Sequence, residues 1–269
     1  MTVDWGALGI NLAVSAAAAA AVLGATAAIG FAKRRHRVVD GAWGLGFAAV
    51  AAVTFAASAG DGDPVRRWIV LALTAAWGAR LSVHLIVRNW GEPEDRRYER
   101  MLEGAGPAVV LAKVYLLQGL LVWFVSLPVQ VAQYDPDPVG ALAFLGAAVW
   151  AVGMAFETVG DAQLAAFRRD RVNEGRVLDS GLWRYTRHPN YFGDACVWWG
   201  LYLLACGTWP GVAMVLSPLV MTWFLASKTG KPLLEEHLSR TRPAYAGYVR
   251  RTSGFIPLPP KSSPSQRSR

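Results

Sequence analysis

The sequence predicts an all-α fold, a polytopic integral membrane bundle of about seven transmembrane helices. Three observations carry that prediction. Of the 269 residues, 54% are hydrophobic and only 17% charged, with twelve tryptophans, a balance outside that of ordinary soluble domains. Apolar runs of bilayer-spanning length recur along the chain. Lys and Arg cluster in every second connection between those runs rather than being spread evenly. The expected organisation is one membrane-embedded domain over residues 1–259, with its carboxyl-terminal half from 139 to 259 set apart by polar motifs, and a disordered tail over 260–269.

Taking the runs in order, the first covers 8–32. It is longer than the apolar core of a signal peptide and similar runs follow it, so it reads as a retained helix. The next cover 42–58, 68–87, 108–132, 139–160, 191–207 and 209–227. Pro136 and Pro138 break the chain between the fourth and fifth, and the stretch GTWP at 207–210 breaks it between the sixth and seventh. No internal repeat or heptad pattern is present. The closing PLPPKSSPSQRSR is low in complexity and is expected to be disordered. Cys196 and Cys206 lie at different depths of one apolar run, which argues for buried small hydrophobes over a disulfide or a metal pair.

Charge predicts the orientation. Residues 33–37, 88–100, 168–187 and the stretch from 228 onward hold 23 of the 27 Lys and Arg, whereas the opposite side keeps only Arg66 and Arg67. Cationic loops stay cytoplasmic, so the amino terminus is expected outside and the carboxyl terminus inside. Anionic lipid headgroups or an anionic cofactor account for the net charge of +8 without a nucleic acid partner.

The segment FRRDRVNEGRVLDSGLWRYTRHPNYFGD is more specific than a generic basic loop. It uses six Arg and no Lys, interleaved with Asp170, Asn173, Asp179 and aromatics, and the guanidinium fork suits bidentate contact with phosphate. Pro189 fits the first turn of a helix, where its missing N–H costs nothing. The free N–H groups and partial positive charge of that helix start offer an anion site at the membrane surface. On the helix Asn190 and Asp194 share a face, with Tyr191 one step round. Asp194 enters an apolar run as an ionisable group, a candidate functional residue by its depth, with pairing to Arg184 or Arg187 as the structural alternative.

At these residues the chain resembles a known family. GLWRYTRHPNYFGD is similar to the cofactor signature of the membrane sterol reductases, the steroid 5-alpha-reductase and sterol C14-reductase group, and closest to a poorly characterised bacterial branch of it. The resemblance runs from about 40 to 260, through NWGEPEDRRY and FETVGDAQLAAFRRD, and is strongest in the carboxyl-terminal half. It implies a multi-pass protein, expected in a bacterial plasma membrane, that binds NADPH from the cytoplasmic side and reduces a carbon–carbon double bond in a lipid or steroid-like substrate.

Residue by residue, the resemblance implies cofactor roles for Asp161 and Arg168 on the fifth helix and for Arg176 ahead of Trp183. It implies the same for Asn190 and Asp194 after the signature Pro, and for His188 within the signature. Arg169 and Arg171 would add charge for the three phosphate groups, and Tyr185 and Tyr191, with Trp198 and Trp199, would wall a nicotinamide. Trp183 is expected to be a lipid-interface anchor. In the tail, His237 and Tyr248 fall at matching positions, Glu235 and Glu236 are candidates to accept ribose hydroxyls, and a solvated amphipathic helix carrying Glu235, His237 and Tyr245 is the alternative.

A second enzyme class stays open, because isoprenylcysteine carboxyl methyltransferases use a related Arg-His-Pro-x-Tyr-x-Gly signature and a Glu-Glu tail. Their cofactor, S-adenosylmethionine, has no phosphate to match four Arg between 168 and 176. A non-catalytic lipid-binding protein is the third reading. The amino-terminal half departs from the steroid reductases: span 42–58 has no Glu and span 68–87 no Tyr, so the expected grip on an enone carbonyl is missing. Asp40, His84 and Tyr115 are the candidate catalytic residues left there. Arg80, His84 and Arg88 form one stripe at four-residue spacing, for which a structural network with Glu94 and Asp95 is the alternative.

Overall fold

Each long apolar run forms a helix, because in a bilayer the backbone N–H and C=O groups must satisfy one another within the segment. The computed structural model describes residues 3–228 and 231–261, with the side chains of residues 96, 97, 228, 231–234 and 237 outside that description. Among the described residues regular structure is helical, and the β-type contact is an isolated parallel bridge between Thr186 and Ser253.

The chain divides into two units. The first comprises Met1–Gly146 with Leu201–Ser217, the second Ala147–Gly200 with Pro218–Arg269. The first contains α1 (Trp5–Lys33), α2 (Val38–Ala57), α3 (Pro64–Asn89) and the short α4 (Arg96–Leu102). It continues as α5 (Pro107–Val110), a π-helical turn (Leu111–Leu116) and α6 (Leu117–Val125), which together make one apolar span, followed by α7 (Leu127–Ala132). The fourth predicted run therefore ends earlier as a continuous helix than the sequence suggests. Pro128 follows a break at Ser126, where a proline cannot continue the ladder but can open a new helix. Then come α8 (Ala141–Arg169), α9 (Pro189–Ala205), α10 (Trp209–Ala213), α11 (Leu216–Trp223), a π-helical turn (Phe224–Lys228), α12 (Lys231–Thr241) and α13 (Tyr245–Arg251).

Among the described residues six helical spans are long and apolar enough to cross a bilayer. The sixth predicted run, which forms α9, has 17 residues and reaches only about 25 Å. Contacts within the first unit bear on it. Asp63 N donates to Asp135 O at 2.8 Å, and a Cβ on Gly207 would lie 2.5 Å from Asp135 Oδ2. Residues 63, 135 and 207 thus share one end of that unit. Because α8 leaves that end from 141 and the chain is back at 207, α9 must make the return. Exposed Trp5, Trp68, Trp90 and Trp209 all sit at the ends of spans, the depth where amphipathic rings favour the lipid interface.

Packing between helices relies on small residues, since lipid gives apolar side chains no reason to leave it. In the first unit a Cβ on Gly44 or Gly78 would fall on the other's carbonyl, so α2 and α3 touch backbone to backbone. A buried polar network adds direction: Gln130 Oε1 accepts from Ser15 Oγ at 2.6 Å and Asn11 Nδ2 at 3.4 Å, and its Nε2 donates to Ser126 Oγ at 3.0 Å. In the second unit Gly153 and Gly193 play the Gly44–Gly78 part. A Cβ on either would stand 2.5 Å from the other's carbonyl oxygen, which is what lets α8 and α9 approach closely.

Candidate functional site

That close approach builds the polar interior of the second unit. Glu157, Asp161, Leu164 and Arg168 recur every three to four residues on α8, and Glu157 and Asp161 are buried. With Gly193 against Glu157, and Gly160 within 3.1 Å of Pro189 if given a Cβ, Asn190 Nδ2 reaches Asp161 Oδ1 at 3.1 Å. Asp194, also buried, lies one turn further along α9. As predicted, α9 begins at Pro189.

Beyond α8 the chain turns through a short 3-10 helix capped by Asp170, whose Oδ1 accepts from Val172 N at 3.0 Å, and through Gly175 at φ 81°. A second 3-10 turn, Gly181–Arg184, is fixed to α8 by Gln163 Oε1, which accepts from Leu182 N at 3.0 Å. Trp183 is buried and its indole N–H donates to Gly160 O at 3.0 Å. It is therefore an internal strut, not the interface anchor expected from its neighbourhood: its one donor is used inside the protein.

The carboxyl-terminal segment closes over this loop. Arg187 N donates to Ser253 O at 2.9 Å, Thr186 Oγ1 to Phe255 O at 2.8 Å, Leu258 N to Tyr185 O at 3.0 Å, and Tyr248 OH to Trp183 O at 2.5 Å. Arg187 is buried and gives Nε to Glu235 Oε1 at 2.8 Å and Nη1 to the carbonyls of Val249 and Thr252. His188 Nε2 lies 3.0 Å from the same Glu235 oxygen, and its ring stacks on Tyr191 at 5.3 Å. Burial alone would raise the Glu235 pKa, yet the hydrogen bonds from His188 and Arg187 and the Arg187 charge outweigh it and hold the carboxyl down at about 2. Burial, reinforced by the nearby Glu235 charge, pushes Tyr245 up to about 12, and burial likewise raises Tyr248.

Between loop and cap lies a cavity of about 340 Å³, within the ~300–1,000 Å³ usual for small-molecule sites. Five arginines line it, Arg168, Arg171, Arg176, Arg187 and Arg242, with two acidic residues, Asp170 and Glu174. Trp183, Tyr245, Tyr248 and Phe167 supply flat apolar walls.

The predicted cofactor residues thus separate into three groups. Arg168, Arg171, Arg176 and Tyr248 line the cavity. Asp161, Asn190 and Asp194 form the interior group between α8 and α9, with Leu164 linking the two along α8. Glu235 and His188 belong to the clamp on Arg187. Glu235 holds Arg187 through one carboxylate oxygen, so Arg187 pairs with Glu235 and not with Asp194, while Glu236 is exposed and pairs with Arg240 at 2.7 Å. Arg169 and Tyr185 are exposed outside the cavity lining, and Tyr191 stacks on His188. The side chain of His237 and the tail from 262 lie outside the described residues. Arg242 and Tyr245 complete the cavity; Arg242 carries no motif, and its place follows only from the fold of α12 over the loop.

The candidate catalytic residues lie in the first unit. Tyr115 projects from the π-helical turn, is buried, and meets His36 Nδ1 at 2.8 Å. Asp40 Oδ1 accepts from Tyr98 OH at 2.7 Å, and Tyr98 and Tyr115 share one packed cluster with Val39 and Val114. His84 is half-buried on α3. Glu94 accepts from the backbone N–H groups of His36 and Arg37 and so organises the α1–α2 turn.

Fold and site together define a multi-pass helical membrane protein with an arginine-lined pocket at the loop end of its second unit. The chain belongs to DUF1295, a family described as protein of unknown function, whose pattern matches residues 27–252. No curated protein and no solved structure gives a significant match.

Proposed function

We propose that this protein is an NADPH-dependent membrane reductase of a carbon–carbon double bond in a lipid or steroid-like substrate, related to the steroid 5-alpha-reductases. The observation that carries the reading is the convergence of five arginines, four of them not held by Glu235, and four aromatic residues, Phe167, Trp183, Tyr245 and Tyr248, on one cavity. Such a wall suits a phosphorylated, planar ligand. It opposes S-adenosylmethionine, a sulfonium cation without phosphate, and so disfavours the methyltransferase reading.

A volume of about 340 Å³ suits the adenosine and phosphate half of the cofactor. Leu164, which lines it, is three residues, ~4.5 Å along the axis, from Asp161, so a nicotinamide half would have to extend along α8 toward Asp161, Asn190 and Asp194. There Asn190 and the two carboxylates provide donors and acceptors for a carboxamide and a ribose. NADPH would supply a hydride to one alkene carbon, and an acid of the protein must deliver a proton to the other.

The proposed orientation has the amino terminus outside and the cavity facing the cytoplasm, where NADPH is found. The clustering of Lys and Arg at the same-side segments supports it. Fluorescence titration of the purified protein in lipid nanodiscs tests the reading. NADPH should bind well above NADH, S-adenosylmethionine should not compete, and Arg176→Ala should weaken NADPH ~10–100-fold, as expected for loss of a charge-assisted hydrogen bond. Equal affinities for the two nucleotides would defeat the phosphate argument.

A further inference from the structure

The five cavity arginines differ in what their guanidiniums already hold. Arg187 is 9% exposed and committed to Glu235 and two carbonyls, so it fixes the wall without being available to a ligand. Arg171, Arg176 and Arg242 have no side-chain hydrogen bond or ion pair among the described residues. Two of these three come together from distant parts of the chain. Gly175, at φ 81°, turns the loop so that Arg242 Nη1 lies 3.5 Å from the position a Cβ of Gly175 would take. The guanidinium just past the end of α12 is thereby laid against the backbone beside Arg176. Arg242 is half-buried there, which makes an unpaired charge costly unless something anionic joins it.

We propose that Arg176 and Arg242 form the seat of a phosphate monoester, the 2′-phosphate of the adenosine ribose, and that Arg242 is the residue selecting NADPH over NADH. The inference rests on the nucleotide reading of the cavity. A monoester carries about −1.5 to −2 charge at pH 7, more than either phosphate of the pyrophosphate bridge, and suits two guanidiniums converging from separate segments. Glu174 lines the same wall and would repel the anion, so both cations are needed for a net attraction. The structural alternative is that Arg242 merely complements the negative end of α12. That role would be indifferent to which nucleotide is present.

The test uses the full chain in nanodiscs, titrated with NADPH and NADH and competed with 2′,5′-ADP and 5′-AMP. Arg242→Ala should weaken NADPH and 2′,5′-ADP ~10–100-fold while leaving NADH and 5′-AMP within about twofold. Arg242→Lys, which keeps the charge but not the fork, should retain part of the preference. If Arg242→Ala weakens all four ligands alike, or leaves the NADPH-to-NADH ratio unchanged, the seat is refuted while the nucleotide site stands. If the unaltered protein binds none of the four, the nucleotide reading fails and the seat fails with it.

Discussion

Glu235 concentrates the energetics of the cap in one carboxylate. It receives Arg187 and His188 on the same oxygen, with Tyr245 close enough to feel its charge. Removing it would leave Arg187 buried with only carbonyl partners. Breaking a fully buried pair costs about 3–5 kcal/mol; because the Glu235 side chain is 20% exposed, we expect Glu235→Gln to cost on the order of 2 kcal/mol. The pH dependence has a definite sign. The folded carboxyl stands at about 2 against an ordinary 4.5, so the folded state holds the charge that the unfolded chain gives up first. Stability from this pair is complete above the ordinary value and is lost as pH falls from there toward about 2. Thermal unfolding of the wild type and Glu235→Gln across that window should converge at the acid end and separate at neutral pH. A constant gap at all pH values would mean that the carboxylate charge is not what holds the cap.

At the scale of elements, the site depends on how closely α8 and α9 lie. Gly193 is packed so that a Cβ would meet Glu157 N and Gly153 O, both backbone atoms at 2.5 Å, and neither can swing aside as a side-chain tip would. Gly193→Ala should therefore force the helices apart, at a cost of ~1–3 kcal/mol, and lengthen the 3.1 Å contact between Asn190 and Asp161. If the nicotinamide end is held there, nucleotide affinity should drop with stability; a variant with normal melting temperature and normal affinity would show that the site does not depend on this close approach. Much at this scale was legible in the sequence. Hydropathy marks the long spans because each must satisfy its own backbone, and Pro189 marks the start of α9 because proline fits a first turn. Contacts across the chain were not legible. Nothing local announces that Arg187 will meet Glu235, that Arg242 will lie beside Gly175, or that Tyr115 will find His36, since each pairing is set by how helices distant in sequence pack. Trp183 departs from its expected place for the same reason: an aromatic next to a basic loop has the local pattern of an interface anchor, and only the packing of α8 against the loop brings Gly160 to its indole N–H.

At the scale of the whole molecule, the number of crossings decides which surfaces meet the same compartment. Hydropathy supports six spans, and the seventh rests on the chain returning by way of α9 to the end of the first unit occupied by Arg66 and Asp135. Arg66 is 2% exposed, pairs with Asp135 at 3.2 Å and donates to Leu204 O at 2.7 Å, so the last turn of α9 is bound to the start of α3. A short helix is held across the bilayer by that anchor, which offsets its modest length. Seven crossings put the 58–63 connection on one side and the 89–95 connection, the arginine loop and α13 on the other. In a protein whose Cys196 and Cys206 are replaced by Ala, a single cysteine at the exposed Ala59 should react with a membrane-impermeant maleimide from outside intact cells. Single cysteines at Glu92 and Arg250, also exposed, should react only after the membrane is opened. Labelling of the Arg250→Cys protein from outside, with Glu92→Cys still protected, would mean that α9 does not cross, and would put the arginine-lined cavity and its cap on opposite faces of the membrane, which the Arg187–Glu235 contact forbids.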